Sequence, residues 1–492
     1  MQREQWNSQI GFLLAAVGSA IGLGNIWRFS YIAYSNGGGA FLIPYITALL
    51  TAGISMLILE FGLGHEKMGS APLAFSRVRK GWEWLGWWSV TFVMFGIELY
   101  YTVIIAWCLS FFFFSFNLAW GSDPNNFFFN EYLKVSSGPG EIGSIRWPIL
   151  ISTIVIWLLN WTIVCRGLKK GIERANKIFM PFLFILMGTL VFWSLSLEGA
   201  MNGIRAYLTP DFSVLTSPKV WVDAYSQIFF DLSLGFGIMI AYSSYLPEKA
   251  NLSRNALLTG TINCSFSLMS GFAVFSVLGF MATSQGKPIT EVVSQSIGLA
   301  FVAYPKAVSL IPGGKIFGAI FFLSLVLAGL SSSISIIEAF SSSMVDKFNI
   351  PKKKLVTVLC GMGLLGSVIF TCQGGLYWLD ITDHFLSHYG LVVVGILECL
   401  LLGWVFDIKK LREHINGISS IQLGLWWDRL IKYFIPVILS VIFISDVYRE
   451  IKSPYEGYSW TSLICIGFGW IVVTLATAVI ISLKPWRRGI GD

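Results

Sequence analysis

The chain has 492 residues, of which 55% are hydrophobic and only 12% are charged, and its mean hydropathy is +0.70. Soluble proteins carry about twice that charged fraction, so the composition excludes an ordinary soluble protein and indicates a polytopic membrane protein. The net charge of +7 does not indicate nucleic-acid binding, because the basic residues cluster in alternate loops, as orientation in a membrane requires.

Twelve apolar segments are long enough to cross a membrane as helices. They lie at 10–35, 39–63, 84–117, 147–164, 174–197, 221–246, 256–283, 315–346, 355–373, 376–406, 431–451 and 459–483. Placing the N-terminus in the cytoplasm puts most Lys and Arg residues on the cytoplasmic side, so both termini are predicted to be cytoplasmic. The loop at 118–146 contains neither a cysteine nor an Asn-x-Ser/Thr sequon, which favours the inner (plasma) membrane of a bacterium or an archaeon.

The first apolar segment is interrupted by the sequence GSAIGLGNIWRF at 18–29, which contains three glycines, Asn25 and Arg28. Glycine weakens a helix, and unsatisfied backbone or a charge at membrane depth costs several kcal/mol. Such a break survives only where it faces protein, an ion or a water-filled cavity. Its free carbonyls could bind a small cation and its free amides a carboxylate, so the segment predicts a binding site.

The sixth apolar segment contains a second polar, glycine-rich interruption at 231–237, with the sequence DLSLGFG. It comes five spans after the first, so the two broken helices enter the membrane from opposite sides. Paired interruptions in corresponding halves are typical of an inverted-repeat transporter with its site near the midplane. The alternative is two unrelated glycine kinks, which are common in membrane helices. The polar residues Asn25 and Asp231 favour the inverted repeat.

Enzymatic chemistry is not expected from this sequence. The four histidines show no metal-ligand spacing, and no nucleophile–base constellation is present. A membrane-embedded binding protein or sensor without turnover is a further alternative, which a large signalling domain would support. No cofactor other than an ion is predicted.

From Arg3 to beyond the tenth span, the sequence resembles the neurotransmitter:sodium symporter family. The motifs that carry the resemblance are GSAIGLGNIWRF (18–29), NGGGAFLIPY (36–45), Glu60, LYY (99–101), RGLKKGIE (166–173), QIFFDLSLGFG (227–237), Asn263, AGLSSS (328–333) and Asp383. The resemblance implies sodium-coupled import of an amino acid or amine by alternating access.

The fold implied by the resemblance is all-α and polytopic, with twelve transmembrane helices in the LeuT-type arrangement. A cytoplasmic segment at 1–9 would precede a first repeat at 10–200 and an inverted repeat at 201–408, which together form a 5+5 repeat. Two further helices would occupy 409–484, followed by a cytoplasmic tail at 485–492. Helices 1 and 6 would be unwound at the midplane.

Two sodium ions are also implied by the resemblance. The first would be bound by the Ala20 carbonyl, the Asn25 side chain, Asp231 and Asn263, and completed by a substrate carboxylate. The second would be bound by the carbonyls of Gly18, Ile21 and Ala328 and the hydroxyls of Ser331 and Ser332. Na+ is a hard ion that prefers several oxygen ligands. Taken alone, serines in membrane helices usually bond to their own backbone or to a neighbouring helix, and only the AGLSSS match favours ligation.

The substrate carboxylate would, by the same resemblance, lie on the amides near Leu23 and Gly24, with the Tyr101 hydroxyl as a further donor. Amine-transporting members have an Asp where Gly22 stands here, so Gly22 favours an α-amino acid. The remaining substrate residues would be Ala20, Ile97, Phe230, Ser233, Phe236, Ser332 and Ile336. Because most of these are apolar, a hydrophobic or aromatic amino acid is favoured, although phenylalanines also serve ordinary helix packing.

Asp231 departs from the family pattern, which has a Ser or Thr at this position. Chloride-dependent relatives bind Cl− beside it, with residues that correspond to Tyr45, Gln227, Asn263 and Ser267. Two negative charges in contact at low dielectric would repel by several kcal/mol. We therefore expect Asp231 to replace chloride and make transport chloride-independent. A buried structural Asp is the alternative, and a role in proton return stays open.

Glu98 is a second departure, because relatives usually have a small residue there. It shares a helix face with Tyr101. A carboxylate in the pocket would favour a cationic or other polar amino acid. Alternatively, Glu98 bonds to a neighbouring helix, and the sequence does not separate the two interpretations.

Two pairs of charged residues correspond to the family's gates. Arg28 and Asp383 match the external gate, which a charge-assisted bond would close. The internal gate would consist of Arg3 and Asp346, with Trp6 and Tyr245 packed nearby. A sodium-independent amino-acid exchanger of the same architecture is the main alternative function. The expected partners are an amino acid, Na+ and the lipid bilayer but no nucleic acid, and a homodimer is compatible with the resemblance.

Overall fold

The computed structural model describes residues 4–289 and 296–487, and the regular structure of these residues is helical. The principal helices in chain order are α1 (Gln9–Ala20), α2 (Arg28–Ser35), α3 (Gly39–Lys67), α4 (Ala71–Val78), α5 (Glu83–Ser115), α6 (Trp147–Val164), α7 (Leu168–Leu195), α8 (Ala200–Leu208), α9 (Pro218–Asp231), α10 (Ile238–Ser243), α11 (Leu252–Gln285), α12 (Leu299–Leu310), α13 (Gly314–Phe348), α14 (Lys352–Thr371), α15 (Gly375–Val405), α16 (Ile408–Ile418), α17 (Leu425–Gly457) and α18 (Trp460–Ser482). Shorter helical segments include Leu23–Asn25 in the first break and Pro124–Asn126 with Phe127–Leu133 in the loop after α5.

The predicted all-α, polytopic class is confirmed. Within the described residues, ten helices are long and apolar enough to cross a membrane, and the bent pair α1–α2 forms an eleventh span. The predicted sixth span, 221–246, corresponds to the shorter helices α9 and α10 on either side of a break. Some boundaries differ from the prediction, since α7 begins at Leu168 rather than near residue 174. The charged segment at 168–173 is helical and largely buried, which hydropathy alone does not reveal.

The first break lies between α1 and α2 and follows from the residues around Gly22. Gly22 is extended, with φ −125° and ψ −167°, so α1 cannot continue through it. Its amide donates to Asn25 Oδ1 at 2.8 Å instead of to the Gly18 carbonyl, its partner in a continuous helix. The Leu23 amide likewise donates to the Tyr101 hydroxyl at 3.3 Å. The break therefore opens carbonyls at the end of α1 and bends the span by 68°.

The second break, between α9 and α10, uses three residues with positive φ. These are Ser233 (52°), Gly235 (75°) and Gly237 (69°). Glycine adopts this conformation readily, whereas it costs a serine about 1–2 kcal/mol. Two contacts across the bundle hold the break: Ser233 Oγ donates to the Ser19 carbonyl at 3.1 Å, and the Gly235 amide donates to Glu60 Oε1 at 2.7 Å. The two breaks are thus bonded to each other.

The first and the last described residues of the chain lie at the same end of the helix bundle. The Trp6 amide donates to the Tyr245 carbonyl at 3.1 Å, and the Tyr245 hydroxyl donates to Glu338 in the last third of α13. Lys347 lies in the last turn of α13, and its Nζ atom is 5.2 Å from the centre of the Trp486 ring. We call this end of the bundle the terminal face and the opposite end the distal face.

Candidate functional site

The two breaks enclose a cavity of about 40 Å³ together with α5 and α13. It is lined by every residue predicted for the substrate except Glu98, and in addition by Ser19, Gly22, Asn25, Asp231 and Ile238. The residues come from four separate parts of the chain, and all of them lie at the interruptions or on the helices packed against them. The cavity has room for a few water molecules.

Hydrogen-bond donors converge at one end of the cavity. The Leu23 amide and the Tyr101 hydroxyl lie 3.3 Å apart, and both border the cavity. A Cβ atom added to Gly22 would lie 3.0 Å from the Tyr101 hydroxyl and 3.3 Å from Ser332 Oγ. A side chain at position 22 would therefore project to the point where the donors meet. Glycine keeps that space open.

The rest of the cavity wall is apolar. Phe230 and Phe236 pack edge to face, with ring centres 6.5 Å apart and planes at 83°. Ile97 comes from α5, Ile336 from α13 and Ile238 from the start of α10. Sequence reasoning missed Ile238, because it lies just beyond the motif used to place the other residues. An apolar surface of this kind favours an apolar group by excluding water from it.

Glu98 lies outside this cavity, so its assignment as a substrate residue is corrected. It is fully buried, and its carboxylate accepts a short hydrogen bond from Ser333 Oγ. Asn160 Nδ2 donates to the same Ser333 oxygen at 2.7 Å, which links α5, α13 and α6. Side chains three positions apart on a helix point in directions that differ by about 60°. Tyr101 therefore lines the cavity, whereas Glu98 on the same helix points past its edge. The second interpretation, a bond to a neighbouring helix, describes its position.

The residues predicted for the first cation lie together. Asn25 Nδ2 donates to Asn263 Oδ1 at 2.9 Å and to Ser267 Oγ at 2.8 Å, which joins the first break to α11. Ala20 and Asp231 line the same cavity as Asn25. The group contains a carbonyl, two amides and a carboxylate, the oxygen donors that a hard cation prefers.

Asp231 is held in a cradle of uncharged donors. Gln227 Nε2, one helical turn earlier on α9, lies 2.9 Å from both carboxylate oxygens. The Tyr45 hydroxyl donates to Asp231 Oδ2 at 3.4 Å. Asn263 and Ser267 bond to Asn25, which lines the same cavity as Asp231, and all of these side chains are buried. The structure therefore brings the five residues of the predicted chloride-site equivalent together.

The residues predicted for the second cation meet where α13 crosses the first break. Ser332 Oγ lies 3.1 Å from the Ser19 carbonyl, 3.3 Å from the Ile21 carbonyl and 3.4 Å from the Ala328 carbonyl. Ser331 Oγ donates to the Ala328 carbonyl at 2.8 Å, the local bond that isolated serines usually make. Gly18, the remaining member of the predicted set, lies one turn before the break, on α1.

The predicted external gate residues approach each other through intermediate side chains. The Arg28 guanidinium lies 4.8 Å from the centre of the Phe230 ring. Asp383 Oδ1 accepts from the Tyr100 hydroxyl at 2.5 Å and from Ser387 Oγ at 3.2 Å. Arg28 and Ser387 line one small cavity beside Phe230, and Ser387 links that cavity to Asp383 through its hydrogen bond.

The predicted internal gate lies at the terminal face. The rings of Trp6 and Tyr245 pack with centres 6.5 Å apart. Asp346 Oδ2 accepts from the Ser70 amide at 2.9 Å, which ties the end of α13 to the start of α4. Arg3, the predicted partner of Asp346, lies outside the described residues.

Comparison with known proteins identifies the family. The model of the sodium:neurotransmitter symporter family matches residues 3–123 and 120–487, which is nearly the whole chain. The chain belongs to the sodium:neurotransmitter symporter family. This symporter is 50% identical over 488 residues to an uncharacterized sodium-dependent transporter of Methanocaldococcus jannaschii, with 99% of this chain and 98% of the relative covered.

More distant relatives of this symporter are animal transporters. A sodium- and chloride-dependent GABA transporter 2 of Mus musculus is 31% identical, with 99% of this chain and 86% of the relative covered. A sodium- and chloride-dependent taurine transporter of Canis lupus familiaris is also 31% identical, with 95% and 82% covered. The protein is thus a sodium-dependent, multi-pass membrane transporter and not an enzyme. Its sodium dependence overturns the alternative of a sodium-independent exchanger.

Sequence reasoning missed two structural supports of the symporter site. Glu60 served only as a family motif, yet its carboxylate bonds to the second break. Asn160 was not considered, although it is fully buried and bonds to the serine that contacts Glu98. The sequence does mark Glu60 and Asn160 as unusual, since polar residues inside apolar spans are costly and usually have a specific partner. The sequence could not name that partner.

Proposed function

We propose that the symporter imports a hydrophobic or aromatic α-amino acid by alternating access, coupled to sodium. The observation that carries the proposal is the division of the cavity between the breaks into a donor end and an apolar end. The Leu23 amide and the Tyr101 hydroxyl would bind the substrate carboxylate, with the Gly24 amide beside them. Ile97, Phe236 and their apolar neighbours would contact its side chain.

Gly22 supports an α-amino acid over an amine. The space next to its Cα lies 3.0–3.3 Å from the Tyr101 and Ser332 oxygens. In an amine transporter, an Asp at this position would supply the carboxylate that the substrate lacks. Here that space is left to the substrate's own carboxylate.

Two sodium ions would bind, one on each side of the first break. Ala20, Asn25, Asp231 and Asn263 would bind the first, with the substrate carboxylate as a further ligand. The second would be bound by the carbonyls of Gly18, Ile21 and Ala328 and the hydroxyls of Ser331 and Ser332. The proposal is supported by the proximity of Ser332 to three backbone carbonyls, because a Na+ ion would replace those weak hydroxyl contacts with ion–oxygen contacts.

Transport by this symporter would not require chloride. The relatives from mouse and dog are chloride-dependent by name. In this chain, the Asp231 carboxylate accepts hydrogen bonds from residues that correspond to the chloride ligands of such relatives. Gln227 and Tyr45 already donate to Asp231, so a chloride ion there would face a negative charge at contact distance. Such repulsion costs several kcal/mol in a buried site.

Alternating access would follow from two gates around the cavity. The present cavity is too small for an amino acid, so loading requires the helices around it to separate. Arg28 and Asp383 would close the distal side, and Asp346, Trp6 and Tyr245 the terminal side. With both termini in the cytoplasm, the distal face is the outer one, and the 5+5 repeat relates the two broken spans. Each ligand drives the change only through its different affinity for the two states.

Uptake by the purified protein in proteoliposomes tests the function. A panel of radiolabelled leucine, phenylalanine, tryptophan, lysine, GABA and taurine is offered with an inward Na+ gradient or with K+. We expect apolar α-amino acids to accumulate with Na+ only. Accumulation of lysine or taurine in preference to them would contradict the substrate class, and equal uptake in K+ would contradict the coupling.

A matched pair of variants tests the carboxylate end. Gly22→Asp should abolish phenylalanine uptake, because its carboxylate would lie at the Tyr101 hydroxyl, and should allow phenethylamine to bind. Gly22→Ala adds a methyl group without charge and should retain measurable uptake. If both variants kept the wild-type preference for phenylalanine over phenethylamine, the assignment of this end would be wrong.

A further inference from the structure

A second cavity, separate from the one between the breaks, lies between α15, α17 and α18, with Trp88 of α5 at its inner side. Its volume is about 300 Å³, compared with about 40 Å³ for the cavity between the breaks. This is the lower end of the range for small-molecule sites in proteins. Phe385, Val393, Phe443 and Ile471 form part of its wall, which is mostly apolar. Water would lose hydrogen bonds in such a space, so hydrocarbon is its favoured content.

The cavity is elongated along the helices and open to the membrane. Trp460 and Ile471 both border it on α18, and their separation along the helix is about 16 Å. That is about half of the roughly 30 Å hydrocarbon thickness of a bilayer. The side chains of Ile451 and Phe468 border the cavity and are 70% and 55% exposed, on surface that faces lipid. The cavity therefore has the length of a lipid chain within one leaflet.

A carboxylate is fixed at the end of the cavity nearest the distal face. Glu450 Oε2 accepts from His384 Nε2 at 2.9 Å and from the Tyr389 hydroxyl at 3.3 Å. The other oxygen, Oε1, accepts from the Tyr455 amide at 3.1 Å. The Glu450 side chain is 12% exposed, so it is held in place but still reached from the cavity that it borders.

The surroundings of this end are acidic. The described residues at the distal ends of α15 and α17 include five carboxylates, two cationic side chains and two histidines: Asp380, Asp383, Asp446, Glu450 and Glu456 against Arg449, Lys452, His384 and His388. The two histidines bond to Glu450 and Asp446, so the carboxylates still outnumber the basic groups. An excess of one sign at the mouth of an apolar channel raises the local concentration of ligands of the opposite sign. A cationic head group therefore matches this end better than an anionic one.

We propose that this cavity binds one hydrocarbon chain of a membrane lipid whose head group carries an ammonium ion, with the ammonium N–H groups directed at Glu450. The apolar wall receives the chain, the length of the cavity confines it to the distal leaflet, and the carboxylate selects the head group. The site is independent of the substrate proposed above, because no residue is shared between the two cavities.

Photolabelling of the full-length protein in phosphatidylcholine vesicles tests the site. The probes are three 16-carbon chains with the same mid-chain diazirine and a primary amine, a hydroxyl or a carboxylate as head group, and adducts are mapped by mass spectrometry. We expect the amine to label α15, α17 and α18 at the cavity roughly fivefold more than the carboxylate. Added phosphatidylethanolamine should compete with it. Equal labelling by all three probes, or no competition, would overturn the proposal.

Three variants separate the cavity from general lipid contact. Val447→Trp should fill the cavity and lower its labelling at least fivefold, and Val393→Trp does the same from α15 if the first variant does not fold. Glu450→Gln should remove the preference for the amine while retaining labelling by the alcohol. The control is Ile444→Trp, on an exposed position of α17 outside the cavity wall. Unchanged labelling in the filled variants, or equal loss in the control, would show that the probe does not enter the cavity.

Discussion

An Asp231→Ser substitution should convert the transporter from chloride-independent to chloride-dependent. It removes a buried carboxylate but leaves the Gln227 and Tyr45 donors, now 2.9 Å and 3.4 Å from a vacated position. A chloride ion can accept from both of these donors and from the introduced hydroxyl. Wild-type uptake, in contrast, should be the same in chloride and in gluconate.

The size of the effect follows from the charge that is lost. Two unit charges about 4 Å apart attract by about 4 kcal/mol at an effective dielectric constant of about 20, and a carboxylate that binds Na+ directly lies closer, so its loss costs at least this order of energy. Loss of even half of this would weaken sodium binding roughly thirtyfold. In gluconate, the Asp231→Ser variant should therefore need far more Na+ for half-maximal uptake than the wild type. Chloride should restore most of the affinity by replacing the missing charge.

The assay is sodium-dependent uptake in proteoliposomes, titrated with Na+ at fixed chloride and then with chloride at fixed Na+. Asp223→Asn is the matched control, since it removes a charge from the same helix, where Asp223 pairs with Lys219 rather than with the cluster. Its ion dependence should not change. If the Asp231→Ser variant took up substrate equally in chloride and gluconate with an unaltered need for Na+, the role assigned to Asp231 would be refuted.

Three further predictions concern carboxylates that lie outside the substrate cavity. Glu60→Leu should lower uptake more than Glu60→Gln, because leucine leaves an amide of the second break unbonded at a cost of about 1–3 kcal/mol; similar uptake by the two variants would argue against this. Lys347→Met should lower the free energy of unfolding by about 3 kcal/mol, since Glu83 loses a buried partner. The double variant Lys347→Met/Glu83→Gln should recover part of this lost stability, as measured by thermal denaturation. Glu98→Gln should reduce thermal stability, because the carboxylate bonds to Ser333, and should leave the order of preferred amino acids unchanged. A changed order of preference would indicate that Glu98 contacts the substrate.

The sequence predicted the class of fold and the position of both breaks because these are local departures from an apolar pattern. Gly22 and Gly235 stand out within their segments whatever the rest of the molecule does. The structure places the residues expected to contact the substrate, other than Glu98, around one cavity, because the two broken segments face each other inside the bundle. The family motifs then gave the contribution of α13 through Ser332.

The direction of individual side chains could not be predicted in the same way. Glu98 and Tyr101 share a broad helix face, yet one points to α13 and the other into the cavity, and a rotation of α5 by about 60° would exchange them. The contact between Glu60 and the second break joins positions 175 residues apart. Such contacts depend on how helices pack, and no periodicity in the sequence carries that information.

The long helix α13 has a mechanical consequence for the moving parts of the transporter. It runs unbroken from Gly314 to Phe348, about 52 Å, and carries Ser332 near its middle and Lys347 at its end. With every interior backbone bond made within the helix, it acts as a rod, whereas α1 has a joint at Gly22. Ser332 contacts the Ser19 and Ile21 carbonyls beside Gly22. A ligand that strengthens this contact therefore couples the angle between α1 and α2 to the position of α13, which is held at the terminal face. Distance probes on α1 should therefore respond to ligands, while probes along α13 should keep their spacing.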